Sequence, residues 1–220
     1  MKNKNSFVKM SLDDPRLEEA RAAGEKWRRS EDLKDAGNEL GLLLTTEIFS
    51  IYRDPIVFPS GQLGTYLRIE DAEETGRSVG VLTVLPNNRF VLLEQQRYPA
   101  AATILETPRG FGRKSENSEL SARREVEEET GGNITKLERL GSIYTNSGIS
   151  DEIVDLFFCE IQQLGVSNEE GVRKILTYSE FEIKELISSG NISDPFFLSA
   201  YAMAISRRLI PLPCSHDAPS

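Results

Sequence analysis

The stretch between Gly110 and Gly131 constrains this chain more than any other. Ser118–Thr130 contains neither Gly nor Pro, is rich in Glu, Arg and Ala, and runs into Gly131-Gly132. That composition predicts a helix capped by Ser118 or Asn117, whose side-chain oxygens accept from free backbone amides, and ended by glycine. On such a helix Glu125, Glu128 and Glu129 stand at i, i+3 and i+4, so three carboxylates leave one face within a turn. Like charges so close repel. With no His or Cys beside them, the natural counter-charge is a hard, oxygen-seeking cation, Mg²⁺ or Mn²⁺, which readily shares carboxylates with substrate phosphates. A Glu-rich helix on its own equally fits a solvated acidic face, so the rest of the chain has to decide.

Composition decides partly by exclusion. The 220 residues suit one globular domain with an appended segment, and no apolar run approaches the ~20 residues of a spanning helix. A net charge of -9 argues against a nucleic-acid backbone as partner. The single histidine, His216, sits in a Pro- and Ser-bearing tail, so Ser-His-Asp, Cys-His and histidine-ligated zinc chemistries lack their imidazole. Cys159 and Cys214 are too few for a disulfide framework and have no zinc-site spacing. The polar, lysine-bearing opening residues do not resemble a secretory leader, and a cytoplasmic location is expected. Hydrolytic chemistry, if present, rests on carboxylates, Lys, Arg or hydroxyls.

Along the chain, Asp14-Pro15 predicts a helix start, with Leu17, Ala20, Ala23 and Trp27 at roughly helical spacing. Thr45 to Tyr52, Ile56 to Pro59 and Gly64 to Ile69 read as strands separated by turns at Asp54-Pro55 and Ser60-Gly61. Val79 to Leu85 and Arg89 to Gln95 form a hairpin pattern around Pro86-Asn87-Asn88. After the acidic helix, strands are expected at Lys136 to Tyr144 and Ile153 to Ile161 and from near Val172, then helices at Phe181 to Ser188 and Pro195 to Arg207. This order predicts a mixed sheet covered by helices, an α/β/α sandwich. The expected division is a partly helical extension over 1–44, a main domain over 45–208 and a tail over 209–220.

The pattern Gly110, five residues, Glu116, seven residues, Arg124-Glu125-Val126-Glu127-Glu128-Glu129-Thr130-Gly131 resembles the Nudix box. At ordinary residue frequencies its fixed positions would match by accident about once in a million chains of this length. One position departs: Gly132 stands where the family usually has a bulky apolar residue, and Ile134 is the candidate to supply that packing. The resemblance implies a Nudix-type α/β/α sandwich with an N-terminal helix and strand extension. It also implies Glu125, Glu128 and Glu129 as metal ligands, the Arg109 carbonyl as a further ligand, Gly110 and Gly131 as loop-shaping residues, and a bracing pair of Arg124 with Glu116.

Beyond the box the chain resembles the ADP-ribose pyrophosphatase branch over about residues 45 to 205. Gln95-Gln-Arg97-Tyr98-Pro99, Glu106-Thr-Pro108-Arg-Gly110, Tyr144 to Glu152 and Gly190 to Asp194 are each similar to motifs of that branch, in the same order. Thr145, Ser147 and Arg109 depart from it, and Arg77-Ser-Val-Gly80 lacks the branch's His-Pro-Gly. What the resemblance implies is metal-dependent hydrolysis of a nucleoside diphosphate sugar, foremost ADP-ribose to AMP and ribose 5-phosphate, with Arg97, Glu106 and Arg109 at the substrate. Arg97 also fits a surface ion pair, and Tyr98 and Tyr144 fit packing as well as base stacking. The branch's base comes from an acidic loop after the core strands. Glu170 is then the further metal ligand or the base, Glu169 its rival and Glu152 a third candidate, with Glu128 the alternative inside the box. A homodimer formed through the N-terminal strands is also implied. A Nudix-like module that binds a nucleotide sugar as a sensor, with weak catalysis, is the competing reading.

Overall fold

In the computed structural model, which describes residues 8–11, 13–25, 40–71, 75–167 and 171–210, the chain forms two compact units. One comprises Met1–Glu74 with Asn146–Glu152, the other Thr75–Thr145 with Ile153–Ser220. The strands of the first unit, up to residue 71, pair among themselves.

The first unit contains β1 (Val8–Lys9), α1 (Leu17–Glu25), β2 (Gly41–Thr45), β3 (Phe49–Val57) and β4 (Leu63–Asp71). β4 pairs antiparallel along the whole of β3, and β1 and β2 pair with successive parts of β3. The turn expected at Asp54-Pro55 is absent: β3 runs straight through it, with Asp54 opposite Tyr66 and Pro55 opposite Thr65. Pro55 lacks an N–H but contributes its carbonyl, which accepts from Met10 N at 2.8 Å, and Arg68 Nε holds the Asp54 carboxylate at 2.6 Å. A strand tolerates proline where no ladder donor is required. The chain turns earlier, at Thr46, whose Oγ1 accepts from Ile48 N and Phe49 N at 3.2 and 3.0 Å. A hydroxyl competing for local backbone donors ends β2 there, dividing the expected Thr45 to Tyr52 strand.

The second unit contains β5 (Thr75–Leu85), β6 (Arg89–Arg97), β7 (Ala102–Glu106), β8 (Arg109–Arg113), α2 (Ser118–Thr130), β9 (Ile134–Tyr144), β10 (Ile153–Ile161), β11 (Val172–Tyr178), α3 (Glu180–Ser188) and α4 (Pro195–Ser206). Among the described residues these strands make one seven-stranded mixed sheet, ordered β11-β6-β5-β10-β9, with β7 on β6 and β8 on β5. β5 and β10 run parallel; the other pairs are antiparallel. Asn87 and Asn88 both take positive φ, 68° and 56°, as a tight hairpin requires of its turn.

Strand alternation sorts the core into two layers. Val79, Val81, Val91, Phe157, Cys159 and Ile161 meet Ala122 and Val126 of α2 on one face. Leu82, Val84, Leu156 and Phe158 meet Ile183 of α3 and Phe197, Ala200 and Ala204 of α4 on the other. Helices cover both faces of a mixed sheet, which is the α/β/α sandwich expected. Among the described residues no helix is long and apolar enough to cross a membrane.

Candidate active site

The helix that carries the glutamates is fixed at both ends. Asn117 caps it, its side chain accepting from Leu120 N at 2.9 Å, and Gly131 closes it with a left-handed φ of 61°. Gly132 follows where bulk was expected; a Cβ there would lie 2.7 Å from Ile161 Cδ1 and 3.0 Å from the Gln163 carbonyl, so a side chain would require its neighbours to shift. Ile134 packs instead against the core layer beneath α2.

One face of α2 turns toward the backbone that begins β8. Glu125 and Glu129 are only 7% and 3% exposed, whereas the Glu128 side chain is 38% exposed at the rim. Glu129 is gripped from two sides: Arg109 N donates to Oε2 at 2.9 Å and Gln95 Nε2 to Oε1 at 3.0 Å. Burial, reinforced by the neighbouring Glu125 charge, outweighs these hydrogen bonds and pushes the Glu129 carboxyl up to about 8. Gly110 explains how Glu125 fits. A Cβ at that position would come within 2.3 to 2.4 Å of the Glu125 carboxylate atoms, so the carboxylate lies directly against glycine backbone.

Arg124 does more than pair with Glu116. Its Nε reaches Glu116 Oε2 at 3.3 Å, Nη1 donates to Glu125 Oε1 at 2.7 Å and Glu128 Oε2 at 3.0 Å, and Nη2 donates to the Phe111 carbonyl at 2.9 Å. The guanidinium therefore shares the acidic face and ties it to β8. Beside this face, the buried Glu106 carboxylate is held by two forks. Arg97 Nε donates to its oxygens at 3.0 and 2.9 Å, and Arg109 Nε and Nη2 donate at 3.0 and 3.1 Å. The Arg109 guanidinium also lies 4.9 Å from the Phe196 ring centre. Arg97 is thus no isolated surface pair but part of a network that continues from the acidic helix.

Hydrogen bonds and close approach link Arg97, Glu106, Arg109, Gly110, Glu116, Arg124, Glu125, Glu128 and Glu129, while Gly131 ends α2 against Gly165 and Val166. Glu169 and Glu170 lie outside the described residues, and Glu152 belongs to the other compact unit. The rings of Tyr98 and Tyr144 stand exposed, so neither is a core residue. Two residues gain importance that their place in short motifs did not convey. Gln95 lies two positions before Arg97, on the same face of β6 by strand alternation. Asp194 caps α4 and accepts from Thr107 N at 2.9 Å, fixing the strand end that carries Glu106.

Among the described residues no group of three or more His, Cys, Asp or Glu side chains is gathered closely enough to hold a metal ion. The donor chemistry nevertheless fits a divalent cation: Glu125 and Glu129 are buried oxygen donors, and a nearby cation would offset the burial that favours the neutral form of Glu129.

Comparison with known proteins gives a consistent result. A family model described as the NUDIX domain matches residues 74–194. An ADP-ribose pyrophosphatase of Bacillus subtilis (strain 168) is 33% identical over 128 residues, 58% of this chain. A methanol dehydrogenase activator of Bacillus methanolicus is 34% identical over 131 residues, 57% of this chain. Each match spans 66% of the relative's own length. An ADP-sugar pyrophosphatase of Mus musculus is 32% identical over 80 residues, 33% of this chain and 37% of its own. A crystal structure of an ADP compounds hydrolase shares the fold, with a TM-score of 0.63 at 14% identity over 77% of this chain and 91% of that one.

Proposed function

The chain belongs to the NUDIX domain family, and from that premise we propose that it is a divalent-metal-dependent pyrophosphohydrolase of nucleoside diphosphate sugars, with ADP-ribose as first substrate. The observation that carries this reading is the placing of two buried carboxylates, Glu125 and Glu129, against the Arg109-Gly110 backbone, next to a pair of guanidiniums. Relatives bearing the names ADP-ribose pyrophosphatase and ADP-sugar pyrophosphatase support the substrate class.

Glu125, Glu128 and Glu129 would hold Mg²⁺ or Mn²⁺, with the Arg109 carbonyl as a further ligand. When bound, such an ion neutralises pyrophosphate charge and acidifies a water. Arg97 and Arg109, kept in place by Glu106, present guanidinium edges to a phosphate, a role suited to their fork geometry. Water oxygen bonds to one phosphorus, the bridging P–O bond breaks, and a carboxylate takes the water's proton. AMP and ribose 5-phosphate then account for all the atoms of ADP-ribose and water. Glu170 is our choice for that base on its position in the sequence, with Glu169 as its rival and Glu128 as the alternative. The active form is a homodimer built on the first unit, where Leu42, Leu44 and Leu67 of the sheet and Ile48 of the turn after β2 are about half exposed.

Turnover of a panel of nucleotide sugars, dinucleotides and nucleoside triphosphates tests the reading. We expect ADP-ribose to lead the panel, EDTA to abolish turnover, Mg²⁺ or Mn²⁺ to restore it, and Glu125→Gln or Glu129→Gln to lower it by roughly 10²–10³-fold. Glu170→Gln should lose about 10²-fold or more. Full turnover in excess EDTA would overturn the proposal. A second reading, nucleotide-sugar binding with little turnover in the service of another protein, draws support from the relative named as a methanol dehydrogenase activator. Ligand binding without hydrolysis across the panel would favour it.

A further inference from the structure

We propose that Gln95 is a positioning residue for the Glu129 carboxylate, and through it for the divalent cation; the inference rests on the metal reading above. Gln95 is 6% exposed, and its backbone is paired on both edges of β6, with Val172 of β11 and Ile104 of β7. The side chain therefore starts from a fixed point. Its amide turns NH₂ toward Glu129 and donates to Oε1 at 3.0 Å, the orientation that serves the carboxylate once a cation holds it ionised, because an ionised carboxylate only accepts hydrogen bonds. Arg109 N supplies a second donor, to Oε2, at 2.9 Å. With one donor on each oxygen, the carboxylate plane cannot rotate about its terminal bond without breaking a buried hydrogen bond, so the directions of its remaining lone pairs are set by the sheet. One of the two donors is backbone and belongs to β8; the other is a single replaceable side chain.

The geometry also separates Gln95 from the residues that reach substrate. Its side-chain amide donates to Glu129, whereas the Arg97 and Arg109 guanidiniums both donate to Glu106. Its amide oxygen faces Gly171, where a Cβ would sit 3.7 Å away. Removing the amide should therefore alter what Glu129 holds before it alters how a sugar nucleotide is gripped.

Mn²⁺ binding to the full chain without substrate, followed by electron paramagnetic resonance or calorimetry, is the direct readout. Gln95→Leu and Gln95→Met both remove the donor, and Met keeps the side chain's length should Leu compromise folding. We expect Mn²⁺ affinity to weaken about 10–100-fold, as is typical when the partner that orients a ligand is lost. The rate should fall at fixed low Mn²⁺, recover substantially at excess Mn²⁺, and leave KM for ADP-ribose within about twofold of wild type. Wild-type Mn²⁺ affinity in a folded Gln95→Met protein, while Glu129→Gln loses binding, would overturn the role of Gln95 and leave the metal reading standing. Wild-type affinity in Glu129→Gln itself would overturn both.

Discussion

At the scale of single residues, the acidic face was legible because helical spacing is enough to place Glu125, Glu128 and Glu129 side by side. What spacing could not convey is which of them is buried. Glu125 and Glu129 lie against β8 while Glu128 stays at the rim, and that depends on how α2 is rotated over the sheet. The reach of Arg124 to four partners was equally out of view, since it follows from side-chain torsions. Gly110 allows the sharpest test of this arrangement. In Gly110→Ala the new methyl would occupy the place of the Glu125 carboxylate, 2.3 Å from its carbon. The side chain is flexible enough to move aside, so the protein should still fold, with a loss on the order of 1–3 kcal/mol. Displacing a reacting constellation by about an ångström costs ~10²-fold in rate. We therefore expect a modest fall in melting temperature and a fall in kcat of that size, measured on the same preparation. Unchanged kcat would mean that the Glu125 position does not matter to turnover.

At the scale of elements, α2, β10 and α4 were readable within a residue at most of their ends, since each combines a clear period with a strong terminus: Asn117 and Gly131 for α2, Asp194-Pro195 for α4. β7 and β8 were not anticipated. They are only five residues each and are separated by Pro108; β8 carries two glycines, so its strand character comes from pairing with β5 and not from its own composition, while β7 is fixed by pairing with β6. The turn wrongly expected at Asp54-Pro55 has the same origin, because tertiary pairing in β3 overrides local chemistry. One buried charge binds several elements at once. Asp155 of β10 accepts from Ser142 Oγ at 2.7 Å and Arg139 Nη2 at 2.8 Å, both on β9, with Arg77 Nη1 of β5 at 3.4 Å. Burial alone would raise its pKa, but hydrogen bonds from Ser142, Arg139 and Ser118 more than reverse this and hold it below the ordinary 3.8. A carboxyl depressed in the folded state binds fewer protons there than in the unfolded chain, so its stabilisation is complete above the ordinary value and is lost as pH falls through the folded one. Asp155→Asn should accordingly lower stability at pH 7 and flatten its decline between about pH 4 and lower pH, as followed by urea unfolding. An unaltered acid limb in the variant would remove Asp155 from the account.

For the whole molecule, the question left by the two compact units is why the first exists, since α2, β8 and the charged network all lie in the second. Its sheet has the composition of something covered. Leu42 and Leu44 of β2, either side of a register shift against β3, are both 50% exposed, Ile48 in the turn that follows is 49% exposed, and Tyr66 and Leu67 of β4 are 37% and 47% exposed. Isolated exposed apolar residues are ordinary, but several large ones in one small unit are the usual mark of an association surface. A second copy of the chain is the occupant proposed above, since an exposed apolar patch that meets its own copy about a twofold axis is self-complementary. The expected outcome is a dimer mass by light scattering at micromolar concentration. Leu42→Lys/Leu44→Lys should shift it toward monomer, because two charges cannot be buried unpaired at an apolar contact without large cost. The seven-stranded sheet of the second unit contains neither position, so its circular dichroism and Mn²⁺ binding should persist in the double variant. A wild-type protein that remains monomeric at these concentrations, with full turnover, would rule out the dimer as the active form and leave the first unit's exposed apolar residues to some other partner.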